Sequence, residues 1–230
     1  MKLHIFNPEH DIALAANQER FTAPHAGRRL RTDLGFIPVF WASEGDMVLV
    51  DDVEAAIEAR RHLSKFGKDV VFVTYADLKA FAFEDVESFQ VDPWGWDRTI
   101  KEQLLRANSN LQPFMPSDET LAAIREMSSR RFAAEHLLPL LREAGEEKTV
   151  GEARYCTTME EVKLTMAQNG KSVLKSPWSS SGRGVRYVET VAPDAHLEGW
   201  AANVVKRQGG IMVEPLYNNC LLYTSDAADE

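Results

Sequence analysis

The ten residues Lys175 to Gly184, K-S-P-W-S-S-S-G-R-G, constrain this chain more than any other stretch. They lie between two short apolar runs, Ser172-Val173-Leu174 and Val185 to Val188, so the spacing predicts strand, loop, strand: a hairpin and not a strand-to-helix turn. A run of three serines with two glycines can turn several backbone N–H groups and hydroxyls toward one anion, because glycine reaches φ > 0 and lets the backbone come close. Lys175 and Arg183 place a cation at each end. Such a loop suits a nucleotide polyphosphate, with lysine acting as a point charge and amides wrapping the oxygens. An ordinary Ser/Gly-rich hairpin with solvated charges stays open as the second reading. No G-x-x-x-x-G-K-[ST] occurs, so this is not a Walker loop.

Two neighbours sharpen the phosphate reading. Downstream, Gly209-Gly210 leads into Ile211-Met212-Val213-Glu214-Pro215-Leu216, an apolar strand that ends in a carboxylate and a proline. Upstream, Ser128-Ser129-Arg130-Arg131-Phe132-Ala133-Ala134-Glu135-His136-Leu137-Leu138 starts a helix behind a serine cap. In that order and approximate spacing, roughly from Ser117 to Leu216, the chain resembles the ATP-grasp superfamily of the carboxylate-amine ligase type. The resemblance implies that Lys175 contacts the α- and β-phosphates of ATP. It implies that Ser179, Ser180, Ser181, Gly182, Arg183 and Gly184 form a mobile loop over the β- and γ-phosphates. Glu214 would face adenine or ribose beside the hinge backbone at Pro215 and Leu216, and Arg130 or Arg131 would be the upstream phosphate-side cation. The family usually carries Asp-Lys where this chain has Ser129-Arg130. No catalytic residue and no metal ligand is assigned.

The last eleven residues, Cys220 to Glu230, match the translation of a transposase sequencing adapter, TGT CTC TTA TAC ACA TCT GAC GCT GCC GAC followed by GA. We expect residues 220–230 to be a non-native tail on a truncated gene; the other reading is a short native acidic tail. The resemblance puts the magnesium-binding acidic residue and a Glu-x-Asn element downstream of the hinge. Mg²⁺ is therefore expected only in a full-length parent, and the present chain is expected to hold the nucleotide clamp without turning over. A lid without the large sheet that follows it also leaves an unpaired edge and exposed apolar surface.

Without Asp226, Asp229 and Glu230 the acidic residues fall from 35 to 32 against 26 basic ones, and the net charge moves from −9 to −6. That balance argues against a nucleic-acid partner. No apolar run approaches the roughly 20 residues of a membrane span. Cys156 would then be the only native cysteine, which with the lack of a signal peptide points to the cytoplasm. With 230 residues and 44% hydrophobic content, the chain can bury one good core or two small ones.

The first half alternates strand and helix. Strands are expected at Lys2–Phe6, Ile37–Trp41, Met47–Val50 and Asp69–Thr74, and helices at Ala23–Gly35, Val53–Phe66 and from a cap at Asp97 to about Ala107. This predicts parallel β-α units and a Rossmann-like sheet, with no G-x-G-x-x-G after the first strand to make it a dinucleotide fold. Ligands of open α/β sheets collect at loops leaving strand carboxyl ends, so Asn7, Glu9, His10 and Asp11 are candidate substrate residues. Turn and cap chemistry is the plainer role for Asn7 and Asp11, and Glu9, His10 and Asp11 as metal ligands would need an unusual turn. Trp94 and Trp96 read as packing anchors, with ligand stacking as the alternative.

The fold class expected is thus α/β: a Rossmann-like domain at 1–115, the type that precedes an ATP-grasp module, then a partial ATP-grasp domain with its α+β lid at 116–219, the break falling at Pro113 to Ser117. The function implied is an ATP-dependent ligase that activates a small-molecule or peptide carboxylate as an acylphosphate for attack by an amine or other nucleophile. A non-catalytic nucleotide- or anion-binding regulatory module is the alternative. Sequencing the source locus across the Asn219 codon should reveal a frame continuing for about a hundred residues, enough to complete a domain, with an acidic strand residue and Glu-x-Asn. Genomic Cys220 to Glu230 followed by a stop would overturn the adapter reading.

Overall fold

The computed structural model describes residues 1–61, 63, 65, 67–82, 88–145, 151–179, 182–189 and 194–217. The adapter-like segment 220–230 lies outside them. By contact the chain divides into two compact units, residues 1–126 and 127–230.

The first unit runs β1 (Lys2–Ile5), α1 (His10–Ala16), α2 (His25–Leu34), a 3₁₀ turn (Ile37–Phe40), β2 (Met47–Leu49), α3 (Val53–Arg61), β3 (Val71–Val73), α4 (Tyr75–Ala80), β4 (Gln90–Pro93), α5 (Arg98–Ala107), a second 3₁₀ turn (Ser109–Phe114) and α6 (Asp118–Met127). Its four strands are all parallel, in the order β3-β2-β1-β4. Strand β2 shows why the sheet is buried on both faces. Met47 and Leu49 pack with Leu3, Ile5, Leu78, Ile100 and Leu104. Val48 and Val50 face the other way, onto Phe36, Val39 and Ala56. Each such side chain contributes about 1.5–3 kcal/mol when fully buried. Most of α6 belongs with this unit: Leu121 is buried, and Arg125 Nε donates to the Leu14 carbonyl at 2.7 Å.

Two local expectations change. Ile37–Trp41 is not a strand but a 3₁₀ turn, Ile37–Phe40. Pro38 cannot donate to a ladder, and Trp41 N–H instead bonds back to the Pro38 carbonyl at 3.0 Å. The apolar run still buries Pro38 and Val39, while Phe40 and Trp41 are exposed. The missing strand is β4, where Gln90-Val91-Asp92-Pro93 pairs with all of β1. It is an edge strand with a terminal proline, which is where a sheet tolerates one. Of the paired tryptophans, Trp96 packs against the core and Trp94 is exposed, its ring edge-on to Phe6.

The second unit begins with a helix in three pieces: α7 (Arg130–Phe132), a π turn (Ala133–Leu137) and α8 (Leu138–Glu143). Pro139 accounts for the wide turn, since its ring would clash with the carbonyl four residues back in a regular helix. Then follow β5 (Arg154–Cys156), α9 (Met159–Asn169), β6 (Ser172–Lys175), β7 (Val185–Val188), α10 (Ala195–Gln208) and β8 (Ile211–Pro215). The sheet is antiparallel, in the order β5-β8-β6-β7. Leu174, Ile211 and Val213 turn one face onto Val162, Met166, Ala201 and Val204 of α9 and α10. Cys156 is fully buried in the same core, and burial pushes its thiol pKa above the ordinary value, with Thr165 opposing. The mixed α/β class, one parallel and one antiparallel sheet, is as the sequence predicts. No helix among the described residues is long and apolar enough to cross a membrane.

Asp46 ties the start of β1 to the turn before β2. Its carboxylate accepts from the backbone N–H groups of Lys2 at 2.8 Å and Ser43 at 2.9 Å, and stands 3.1 Å from His4 Nε2. Burial alone would raise its pKa; the two amides and His4 outweigh that and hold it below the ordinary 3.8. A depressed folded pKa means stabilisation that is present above the unfolded value and lost as pH falls through the folded one. Asp46→Asn should therefore be less stable than the parent near pH 7, with the deficit closing as pH drops below about 3.8. Urea unfolding across that range tests this, and a pH-independent deficit would refute it.

Candidate functional site

Strand register assembles the candidate site in the second unit. Antiparallel pairing of Lys175 with Met212 and of Val173 with Glu214 sets the lysine and the glutamate diagonally opposite on one sheet face. That face is the one turned away from the α9–α10 core. Lys175 Nζ and Glu214 Oε2 meet at 2.5 Å, both side chains less than one-third exposed (30% and 22%). Leu216 continues past the strand, its N–H bonded to the Lys171 carbonyl at 2.9 Å.

The loop leaving Lys175 is held from three sides. Arg130 Nη1 donates to the Ser176 carbonyl at 2.6 Å and to Ser179 Oγ at 2.8 Å, and its Nη2 to the Ser179 carbonyl at 3.1 Å. Gln208, at the end of α10, uses both ends of its amide on Trp178: Oε1 accepts from the backbone N–H at 3.1 Å and Nε2 donates to the carbonyl at 3.3 Å. Gly184 closes the base by accepting from Ser176 N–H at 2.8 Å. Ser176 and Trp178 are buried, so this limb is not a solvated hairpin. Gly182 takes the left-handed φ of 69° that the turn needs, and Arg183 is exposed. Ser180 and Ser181 lie outside the described residues.

The two arginines part company. Arg130 faces the loop, whereas Arg131 pairs with Glu135 at 3.0 Å and lies 5.2 Å from the Tyr155 ring centre. Its serine cap aims Arg130: Ser129 Oγ accepts from Phe132 N–H at 3.1 Å, fixing the first turn. Gln208 had no sequence signal. A glutamine ahead of a Gly-Gly pair looks like an ordinary helix end, and only the fold brings it to residue 178.

A second polar site lies in the first unit. A cavity of about 430 Å³ opens among Asn7, Glu9, Arg31, Tyr75, Asp97 and Gln103. Arg31 Nη1 donates to Glu9 Oε1 at 2.9 Å and Nη2 to Tyr75 Oη at 2.7 Å, and Tyr75 donates to Gln103 Oε1 at 3.0 Å. Burial works against the Arg31 charge, but Tyr75 and Glu9 outweigh it and raise its pKa; burial also pushes the Tyr75 phenol up, with Arg31 opposing. Asn7 and His10 are joined to the loop after β4: Asn7 Nδ2 donates to the Gly95 carbonyl at 2.8 Å, and His10 Nδ1 stands 3.2 Å from Asp97 Oδ2. A Cβ on Gly95 would sit 2.3 Å from the His10 ring, so any side chain there would push the ring from its place. Of the four residues read from the sequence, Asn7 and Glu9 line the cavity, while His10 and Asp11 do not. Tyr75 and Gln103, from two further helices, carried no sequence signal; Arg28, Arg29 and Arg31 read from the sequence as a solvated helix face, with contact to an anionic substrate by one of them as the lesser alternative. Among the described residues no group of three or more His, Cys, Asp or Glu could hold a metal ion.

No protein family matches the sequence by profile, and no curated protein matches it. Among solved structures, the chain is similar to an ATP-grasp RimK domain protein from Sphaerobacter thermophilus DSM 20745, with 22% identity over 76% of this chain and 64% of that one and a TM-score of 0.36. It is also similar to the ATP-grasp ligase PsnB solved with precursor peptide PsnA2 and AMPPNP, at 15% identity, 76% and 64% coverage and a TM-score of 0.31. PsnB with a minimal precursor gives 14%, 76%, 65% and 0.29. The chain thus spans a little under two thirds of each of these structures. Similarity at this level does not place it in a family.

Gly184 gives a direct check of the loop geometry. A Cβ there would lie 2.2 Å from Ser179 Oγ and 2.4 Å from Ser179 Cβ, too close to the backbone for a side-chain swing to relieve. Gly184→Ala should cost about 1–3 kcal/mol, as overpacking does, and adding Ser179→Gly should recover part of it. Thermal unfolding of the single and double variants would show this; additive losses would contradict the contact.

Proposed function

We propose that residues 127–217 bind the phosphates of ATP and belong to a ligase that activates a carboxylate. One observation carries the reading: a strand-end lysine, Lys175, faces a strand-end glutamate, Glu214, at the root of a Ser/Gly loop that Arg130 and Gln208 hold in shape. Such an arrangement suits phosphoryl transfer, where positioning and charge neutralisation do most of the catalysis and no nucleophilic triad is needed.

Lys175 is the phosphate contact, exchanging Glu214 for a nucleotide oxygen when ATP arrives. Glu214 is then free to accept from the ribose hydroxyls or the adenine amine beside Leu216. Gly182 and Arg183, exposed on the loop, cover the terminal phosphates. Arg130, whose donors are directed at Ser176 and Ser179, shapes the loop; Arg131 is turned to Glu135 and takes no part. In the reaction, a carboxylate oxygen of a small molecule or peptide attacks the γ-phosphorus, the bond to the β–γ bridging oxygen breaks, and ADP leaves. An amine then attacks the acyl carbon, phosphate departs, and the nitrogen loses its proton. Magnesium, when bound to such a site, neutralises phosphate charge. Among the described residues no group of three or more His, Cys, Asp or Glu could hold it, and no step above is routed through it.

Lys175→Ala should weaken ATP binding by about 1.5–3 kcal/mol, the range for a hydrogen bond to a charged group. Isothermal titration is the measurement, with Lys175→Met as a second variant that keeps the stem packed. Unchanged affinity in both would sink the assignment. ATP binding without any carboxylate-dependent ADP release, in a chain extended past residue 219, would instead indicate a regulatory nucleotide module.

A further inference from the structure

We infer that the cavity of the first unit is a binding site for a small amine-bearing molecule, with the Glu9 carboxylate receiving its protonated nitrogen. The inference rests on this unit alone and does not depend on the nucleotide reading of residues 127–217.

Topology supplies the first reason. Strand β1 lies between β2 and β4, so the chain leaves β1 toward one side of the sheet and later returns to the other. In open parallel sheets the crevice outside the strand carboxyl ends at such a switch point is where ligands bind. The cavity is there: Asn7 and Glu9 follow β1, and Asp97 and Gln103 follow β4. Its volume of about 430 Å³ suits a small molecule.

The wall chemistry supplies the second. Three carboxylates, Glu9, Asp51 and Asp97, line the cavity against two guanidinium groups, Arg28 and Arg31, which leaves one excess negative charge. Most of this polarity is already matched. Asp97 accepts from Ile100 N–H at 2.9 Å, Asp51 from Thr32 Oγ1 at 2.6 Å, and Arg28 donates to the Ala23 carbonyl at 2.6 Å. Glu9 is the exception. Arg31 holds its Oε1, and Oε2 is buried with no hydrogen-bond partner among the described residues. A buried acceptor without a donor is a departure from how protein interiors are built. The terminal torsion of a glutamate is broad, so a small turn presents Oε2 to the cavity while Arg31 keeps its hold. An ammonium group supplies both missing quantities, a donor and a positive charge. Ala13, Phe21 and Ile100 give its carbon atoms an apolar wall.

Arg31, Tyr75 and Gln103 act through Glu9. Their chain of bonds fixes the carboxylate from behind, and as positioning residues they set where the nitrogen must lie.

The test is an amide NMR titration of the whole chain with n-butylammonium, n-butanol and n-butyrate, which share a carbon skeleton and differ in charge. Butylammonium should give saturable shifts at the side-chain amides of Asn7 and Gln103, at least tenfold tighter than butanol, with butyrate weakest. Glu9→Gln, which keeps the shape, should lose tenfold or more for butylammonium and little for butanol. Butyrate binding as tightly as butylammonium, or no saturable shift with any of the three, would overturn the inference, as would a Glu9→Gln protein that binds butylammonium undiminished. Should Glu9→Gln not fold, the charge preference of the unaltered protein decides the matter.

Discussion

Lys175 and Glu214 meet on the face of an antiparallel sheet opposite the α9–α10 core, beside the buried Val173 and Met212, and much of the second unit follows from keeping that pair where it is. A lysine at the end of a half-buried strand needs a counter-charge, and the glutamate two residues beyond its cross-strand neighbour supplies one. The pairing requires β6 and β8 to be adjacent although α10 and β7 separate them in sequence. It also requires the opposite face to be closed by α9 and α10, so that Leu174 and Val213, one residue along each strand, are satisfied in the core. The loop then starts from a fixed point, and Arg130 and Gln208 need only hold its first limb.

How much of this could be read beforehand depended on whether the signal was local. The hairpin was legible because two apolar runs flank a Ser/Gly stretch, and the helices beside it carry their ends in local chemistry, Thr158 and Gly170 capping α9 and Asp194 capping α10. Asp97 announced α5 by the same logic, its carboxylate accepting from Ile100 N–H. Ile37–Phe40 misled because an apolar run around a proline carries two meanings, and burial of Val39 does not need a ladder. Strand β4 was hidden because an edge strand with Val91 as its only aliphatic residue besides Pro93 has no alternation to detect.

The sites divide along the same line. Lys175, Glu214 and the loop were visible as a motif, but the choice between Arg130 and Arg131 was not, since adjacent arginines at a helix start differ only in the direction the first turn gives them. The first-unit cavity was half visible. Asn7 and Glu9 follow a strand, a position with known meaning, whereas Arg31 sat in an arginine-rich helix that read as a solvated face. What distinguishes it from Arg28 and Arg29 is a neighbour in space, Tyr75, forty-four residues away.

The buried Cys156 thiol gives the second unit its own reporter. Burial keeps it protonated and out of reach, beside Thr165 in the packing of β5 against α9. A thiol in that state reacts with a soluble alkylating reagent only during the fraction of time that this packing is open. The rate of labelling at that one sulfur is then a clock for how often β5 and α9 part, a local event that global unfolding does not report.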